Sequence, residues 1–155
     1  MTITDSASCM LHDFHIRDYS PADYEAVIAL WESIGLGGRH RGDNREVINR
    51  TLQSGGTLLL MEALPGKEII GTSWLTNDGR RSYLHHFGIA EPWQGKGLSK
   101  QLLEESMQVA GKTGYQVKLE VHRSNIKAVK LYEQAGFTCL GDYDVYIVRD
   151  LAKNL

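Results

Sequence analysis

A change of hydrophobic period near residue 90 constrains this chain more than any other feature. Before it, residues 57–63, 68–75 and 82–89 are short apolar runs. The turn signals Leu64-Pro65-Gly66-Lys67 and Asn77-Asp78-Gly79-Arg80 separate them, so they predict an antiparallel meander. After it, Leu98, Leu102, Leu103, Ser106 and Ala110 recur at helical spacing and fade at Gly111 and Gly114. Residues 116–121 alternate, with Val117, Leu119 and Val121 on one face and Lys118 and Glu120 on the other. Ala128, Leu131, Tyr132 and Ala135 predict a further helix closed by Gly136. Residues 137–140 and 145–148 read as final strands around a tight Gly141-Asp142 turn.

Upstream, residues 14–17 predict a first strand. Ser20-Pro21-Ala22-Asp23 has the cap, proline and acid of a helix start. Tyr24, Val27, Ile28, Trp31 and Ile34 follow, and Gly35 stops the helix. Residues 35–42 form a mobile, glycine-rich basic loop, and 44–53 a second helix. The order is strand, two helices, three strands, helix, strand, helix, two strands. It predicts an α/β fold: a mixed, mostly antiparallel sheet of about seven strands with helices on both faces.

The chain has 155 residues, enough for one domain. Residues 1–10 are expected to be a disordered N-terminus and 11–155 the domain. Seventeen basic and 19 acidic residues leave a net charge of −2, which argues against nucleic acid as partner. No apolar run approaches the roughly 20 residues of a membrane span. Cys9 and Cys139 are the only cysteines and have no metal-ligand spacing, so no metal is expected. The start, Met1-Thr2-Ile3-Thr4-Asp5-Ser6, lacks the n- and h-regions of a signal peptide. A reducing, cytoplasmic setting follows as the expectation. A homodimer is left open.

Two stretches carry candidate chemistry. Gln94-Gly95-Lys96-Gly97-Leu98-Ser99-Lys100 joins a strand to a helix. Free N–H groups at a helix start suit a phosphate, although such turns also use glycine for purely steric reasons. Leu119-Glu120-Val121-His122-Arg123-Ser124-Asn125 ends a strand and leads to the helix of Tyr132. Taken alone, Asn125 reads as a helix cap and Tyr132 as a packed core tyrosine.

Together the two stretches resemble the GNAT superfamily of N-acetyltransferases. Gln94 to Ser99 resembles its motif A, Gln/Arg-x-x-Gly-x-Gly/Ala, with Ser99 departing at the last position. Residues 125–137 resemble motif B, Asn-x-x-Ala-x-x-Leu-Tyr-x-x-x-Gly-Phe. The resemblance implies a GNAT-like sheet and acetyl transfer from acetyl-coenzyme A, a co-substrate, to a primary amine. By resemblance Gln94, Gly95, Lys96, Gly97, Leu98, Ser99, Lys100 and Asn125 bind the coenzyme. The backbone of Phe87, Gly88 and Ile89 holds its pantetheine arm, with a bulge at Gly88. Glu120 occupies the position of the base and Tyr132 that of the acid. His85 and His86, one on each face of their strand, are rival bases. The stretch from Trp31 to Leu36 and the basic loop after it resemble an acceptor wall, where Arg39 and Arg41 could meet a substrate carboxylate. A small-molecule amine is the expected acceptor. Acetylation of a protein N-terminus or lysine, and a non-catalytic coenzyme A-binding domain, are the alternatives.

Overall fold

The computed structural model describes residues 13–153, so the expected disordered segment 1–10 lies outside the described residues. Strand β1 (Asp13–Asp18) leads through a short 3-10 turn, Pro21–Asp23, into α1 (Tyr24–Ser33). A basic loop with a second 3-10 turn, Arg39–Arg41, precedes α2 (Arg45–Gln53). The meander is β2 (Thr57–Leu64), β3 (Glu68–Asn77) and β4 (Arg81–Ile89). Then come α3 (Leu98–Gly111), β5 (Gln116–Leu119) and α4 (Ile126–Gln134). Among the described residues the sheet order is β1-β2-β3-β4-β5, and only the β4–β5 pair is parallel.

Helices cover both faces, as the period change requires. On one face Trp31, Val27 and Ile28 of α1 and Ile48 of α2 pack on Leu58, Leu60 and Trp74. On the other, Leu98 and Leu102 of α3 pack on Leu59, Met61 and Ile89, while Leu103, Ala110 and Tyr132 pack on Leu75 and Leu84. Small residues let α3 approach the sheet. Ser106 Oγ lies 2.6 Å from Ser73 Oγ, and both residues are fully buried. A Cβ on Gly71 would stand 3.4 Å from Leu102 and only 2.6 Å from Ile89. At the far end of the sheet Arg17 satisfies two carboxylates. It bonds Asp23 through two contacts of 2.8 Å and Glu62 through Nε at 2.8 Å.

The strand count differs from expectation. Among the described residues the sheet has five strands, not about seven, because residues 137–140 and 145–148 are not strands. The Gly141-Asp142 turn is present, closed by a 3.2 Å bond from Tyr143 N–H to the Leu140 carbonyl. Its flanks do not pair with the sheet, and Leu140, Val145, Tyr146, Ile147 and Val148 are exposed. Alternating β-branched and aromatic residues suit a half-buried pleat, but pairing also needs an edge in reach and register. Strand β5 is likewise shorter than 116–121 and stops at Leu119. Among the described residues no helix is long and apolar enough to cross a membrane.

Candidate active site

The site begins where two parallel strands part. Pairing of β4 with β5 runs from Arg81↔Gln116 to Leu84↔Leu119 and stops. Strand β4 continues alone on that side from His85 to Ile89. Its register with β3 also slips there: Thr72 faces Gly88 and Trp74 faces His85, so His86 and Phe87 oppose Ser73 alone. The bulge is therefore at His86 and Phe87, not at Gly88. Gly88 serves a different purpose, since a Cβ there would come within 2.9 Å of Ile34 and 3.0 Å of Leu36.

The bulge re-aims two side chains. His86 has φ 42, a left-handed conformation that costs a non-glycine residue about 1–2 kcal/mol. Two linked side-chain bonds hold it there. Trp31 Nε1–H donates to Thr72 Oγ1 at 2.8 Å, and Thr72 Oγ1–H donates to the His86 carbonyl at 2.7 Å. The extra residue brings both histidines to the α1 side. Their rings lie 6.3 Å and 5.2 Å from Trp74, so the expected one-on-each-face arrangement is not found. An inserted residue breaks the period of two from which that expectation came.

This α1-side wall is aromatic and titratable. Trp31 stacks on Trp74 at 5.4 Å and meets His86 at 4.3 Å. His85 stacks on Tyr83 at 4.2 Å, and its Nε2 lies 2.8 Å from Thr76 Oγ1. Burial, then the neighbouring His86, pushes the His85 pKa down to about 4, so its ring is neutral at pH 7. Tyr83 is pushed upward, first by burial and then by its hydrogen bond to Glu120. Glu120 itself is exposed, one residue past β5. Helix α1 delivers Trp31 because Gly35, at φ 71, closes the helix: Leu36 N–H reaches back to the Trp31 carbonyl at 2.9 Å.

The opposite wall is built from backbone and one tyrosine. Gly95 and Gly97 have φ 75 and 77, conformations that favour glycine. Gly97 is the α3 N-cap and supplies no side-chain cap, so the first N–H groups of α3 are left for another partner. A negative group fits this fourteen-residue helix start by bonding and by dipole. Lys96 and Lys100 are exposed beside it, Lys100 3.9 Å from Glu104, and Ser99 is half-buried in the first turn. The Gln94 side-chain amide donates to the Ile89 carbonyl at 2.8 Å, fixing the turn to the end of β4. Ala90 N–H donates to Ile70 on β3 at 2.7 Å, so the Ile89 N–H points away from β3, toward the split.

Tyr132 lies on this wall, 5.9 Å from Phe87 and 5.7 Å from Phe137. Burial pushes its pKa up to about 12. Gly136 at φ 94 closes α4 with bonds from Phe137 N–H to the Tyr132 carbonyl and from Gly136 N–H to the Glu133 carbonyl, each 3.0 Å. Asn125 is the α4 cap, its side chain accepting from Ala128 N–H at 3.3 Å. A groove of about 460 Å³ between α3 and α4 is lined by Lys100, Leu103, Met107 and Leu131. It does not include the motif glycines or Glu120.

The structure thus brings Glu120, Tyr83 and His85 together on one face and sets Tyr132 and Phe87 on the other. The two arginines expected to meet a substrate carboxylate both lie exposed on the basic loop. Arg39 bonds Glu25 at 2.6 Å and lies over Tyr24, while Arg41 is exposed. Tyr83 and Asp43 escaped the sequence reading. Tyr83 was within reach of it, because it shares a strand face with His85. Asp43 was not, because its partner lies 43 residues away, His86 Nε2 at 3.0 Å. Among the described residues there is no group of three or more His, Cys, Asp or Glu suited to a metal.

Known proteins share this fold. The family described as Acetyltransferase (GNAT) family matches residues 21–137. An uncharacterised N-acetyltransferase of Bacillus subtilis strain 168, YycN, is 37% identical over 76 residues. That match covers 46% of this chain and 49% of the relative, so the chain spans about half the length of this curated relative. A GNAT-family acetyltransferase structure from Staphylococcus aureus Mu50 superposes with a TM-score of 0.72 at 22% identity, covering 85% of this chain and 89% of that one. A GNAT acetyltransferase from Elizabethkingia anophelis with acetyl-CoA bound gives 0.58 at 24% identity, covering 81% and 76%. Glucosamine-6-phosphate N-acetyltransferase from Arabidopsis thaliana gives 0.68 at 18%, covering 88% and 97%. At these identities the structures show a shared fold.

Proposed function

The chain belongs to the GNAT acetyltransferase family, and from that premise we propose that it transfers an acetyl group from acetyl-coenzyme A to a primary amine of a small molecule. The observation that carries this reading is the uncapped start of α3, with Gly95 and Gly97 left-handed, beside the split between β4 and β5. The N–H groups from Gly95 to Lys100 would hold the pyrophosphate, with Lys96 adding charge. The backbone of Phe87, Gly88 and Ile89 would hold the pantetheine arm. When bound, the coenzyme supplies an activated acyl thioester.

The chain's own residues then have two protons to manage. An alkyl amine near pKa 10 is mostly protonated at pH 7 and cannot attack until it loses a proton. Glu120, anchored by Tyr83, takes that proton directly or through a water. The Ile89 N–H donates to the oxygen that gains charge during attack. Tyr132 keeps its proton at neutral pH, because burial raises its pKa to about 12, and gives it to the departing sulfur. His85, with a pKa of about 4, is as weak a base as an ordinary carboxylate, so its rivalry with Glu120 is decided by mutation.

Melting and turnover test this together. Acetyl-coenzyme A at about 100 times its Kd should stabilise the fold by roughly 2.7 kcal/mol. Thiol release should then be measured with L-amino acids, spermidine, kanamycin and peptides with free N-termini as acceptors. Turnover with a small amine above that with peptides is the expected result. No melting shift and no thiol release with any acceptor would sink the proposal. A melting shift without turnover would leave the non-catalytic coenzyme A-binding domain.

A further inference from the structure

We propose that Asp43 is a positioning residue: through His86 it clasps the loop 37–43 to the β4 bulge and so sets the acceptor wall. This rests on the acetyltransferase reading above. The Asp43 carboxylate is buried and one oxygen serves two partners. Oδ2 accepts from Gly38 N–H at 2.7 Å and lies 3.0 Å from His86 Nε2. The Asp43 carbonyl accepts the Tyr24 hydroxyl at 3.2 Å, tying the same residue to α1. Arg41 N–H and Asp43 N–H both return to the Gly38 carbonyl, at 3.0 Å and 3.2 Å. A loop expected to be mobile is therefore folded around one carboxylate.

At Gly37 the space around the clasp is closed to anything larger than glycine. A Cβ on Gly37 would overlap Asp43 Oδ2 and stand 2.5 Å from His86 Nε2. Gly38 has φ 135, and a Cβ there would meet Glu32 Cγ at 2.6 Å. His86 cannot swing away to relieve the contact. Its ring packs on Trp31 and Trp74, and its carbonyl is held by Thr72. One residue downstream of the bulge, Gly88 packs under Ile34 and Leu36. The loop is thus keyed to the stretch of β4 assigned to the thioester arm. Asp43 touches no reacting atom in this scheme. It fixes where the amine stands, and its loss should be felt in acceptor binding.

The experiment compares Asp43→Asn, His86→Gln and the double variant with wild type. Hydrogen exchange of residues 37–43 and trypsin cleavage after Arg39 and Arg41 report the clasp directly. The acceptor is whichever amine of the panel above gives the highest kcat/KM. Each single variant should speed loop exchange and raise the acceptor KM about tenfold or more, the scale of a lost charged hydrogen bond. For Asp43→Asn the coenzyme A Kd should stay unchanged and kcat within about twofold, as for a lost uniform-binding contact. The double variant should be no worse than Asp43→Asn alone, because both changes remove the link between Asp43 and His86. Faster exchange with an unchanged KM would overturn the positioning role, and unchanged exchange would overturn the clasp itself. If Asp43→Asn fails to fold, His86→Gln reads the same link from the other side. If wild type binds coenzyme A but acetylates nothing in the panel, the transferase reading fails and the positioning role falls with it. Loop exchange alone would then show whether the clasp exists.

Discussion

Helix α1 closes at Gly35 and helix α4 at Gly136, each with a six-to-one backbone bond back to an aromatic residue, Trp31 or Tyr132. The two aromatics stand on opposite faces of the split sheet. Beyond Gly35 the chain folds back at once: Leu36 packs on Gly88, and Asp43 bonds His86 and Gly38. Beyond Gly136, Phe137 packs on Tyr132, and then residues 138–153 run exposed. The same local stop signal leads to a tied wall in one case and an exposed segment in the other. A helix cap decides where a helix ends; it does not decide what receives the chain afterwards. The two walls differ in kind as well. The α1 side offers side chains that titrate, and the α3 side offers backbone N–H groups and one hydroxyl with a raised pKa.

Breaking the α3 wall should have the largest effect. Gly97→Glu meets no neighbour within 4 Å, so it fits sterically, but its φ of 77 strains any other residue and its charge opposes phosphate. Affinity for acetyl-coenzyme A should fall by about 100-fold or more, because the turn is displaced and the added carboxylate repels phosphate. Melting of the free protein should drop by only a few degrees. Calorimetric titration checks this, and an unchanged affinity would remove the turn from the coenzyme site.

Next comes a contrast across the split. Tyr132→Phe removes one hydroxyl and should lower single-turnover rates by about 10²-fold with coenzyme affinity unchanged. Glu120→Gln should also lose turnover, but its loss should shrink as pH rises and the amine deprotonates unaided. If both variants show the same pH dependence, the two walls do not divide base from acid.

A smaller effect belongs to His85. Its folded pKa of about 4 lies below the unfolded value near 6.5. Between those values the unfolded chain binds the extra proton. Stability from this group is therefore whole above pH 6.5 and is lost as pH falls toward 4. His85→Gln should flatten the stability slope in that window, measured by urea unfolding at several pH values. An unaltered slope would mean that His85 is not held neutral. Last, Arg39→Glu and Arg41→Glu should raise the acceptor KM only a few-fold and less so in salt, because both are exposed. Arg39 should matter less, since Glu25 already holds it. A large effect from Arg39 would mean that this pair opens when substrate binds.

Much was legible in the sequence because its signals act over a few residues. Ser20 and Pro21, Asn44 and Asn125 mark helix starts through their own backbone bonds or fixed φ. Gly35, Gly111 and Gly136 mark ends, and the period change at 90 separates meander from helix. The turn from Gln94 to Gly97 was readable for the same reason: left-handed glycines and a bare helix start are local facts. What the tertiary structure alone decided was pairing at a distance. Whether residues 145–148 join a sheet depends on an edge, and alternation does not supply one. Where His86 points depends on a bulge opposite Ser73, which shifts its side chain by one place in the pleat. That Asp43 meets His86 depends on packing α1 against β3 and β4. Local propensity fixes each element because its energy comes from neighbours in the chain; the site is assembled from partners about forty residues apart, whose meeting is fixed by the shared core.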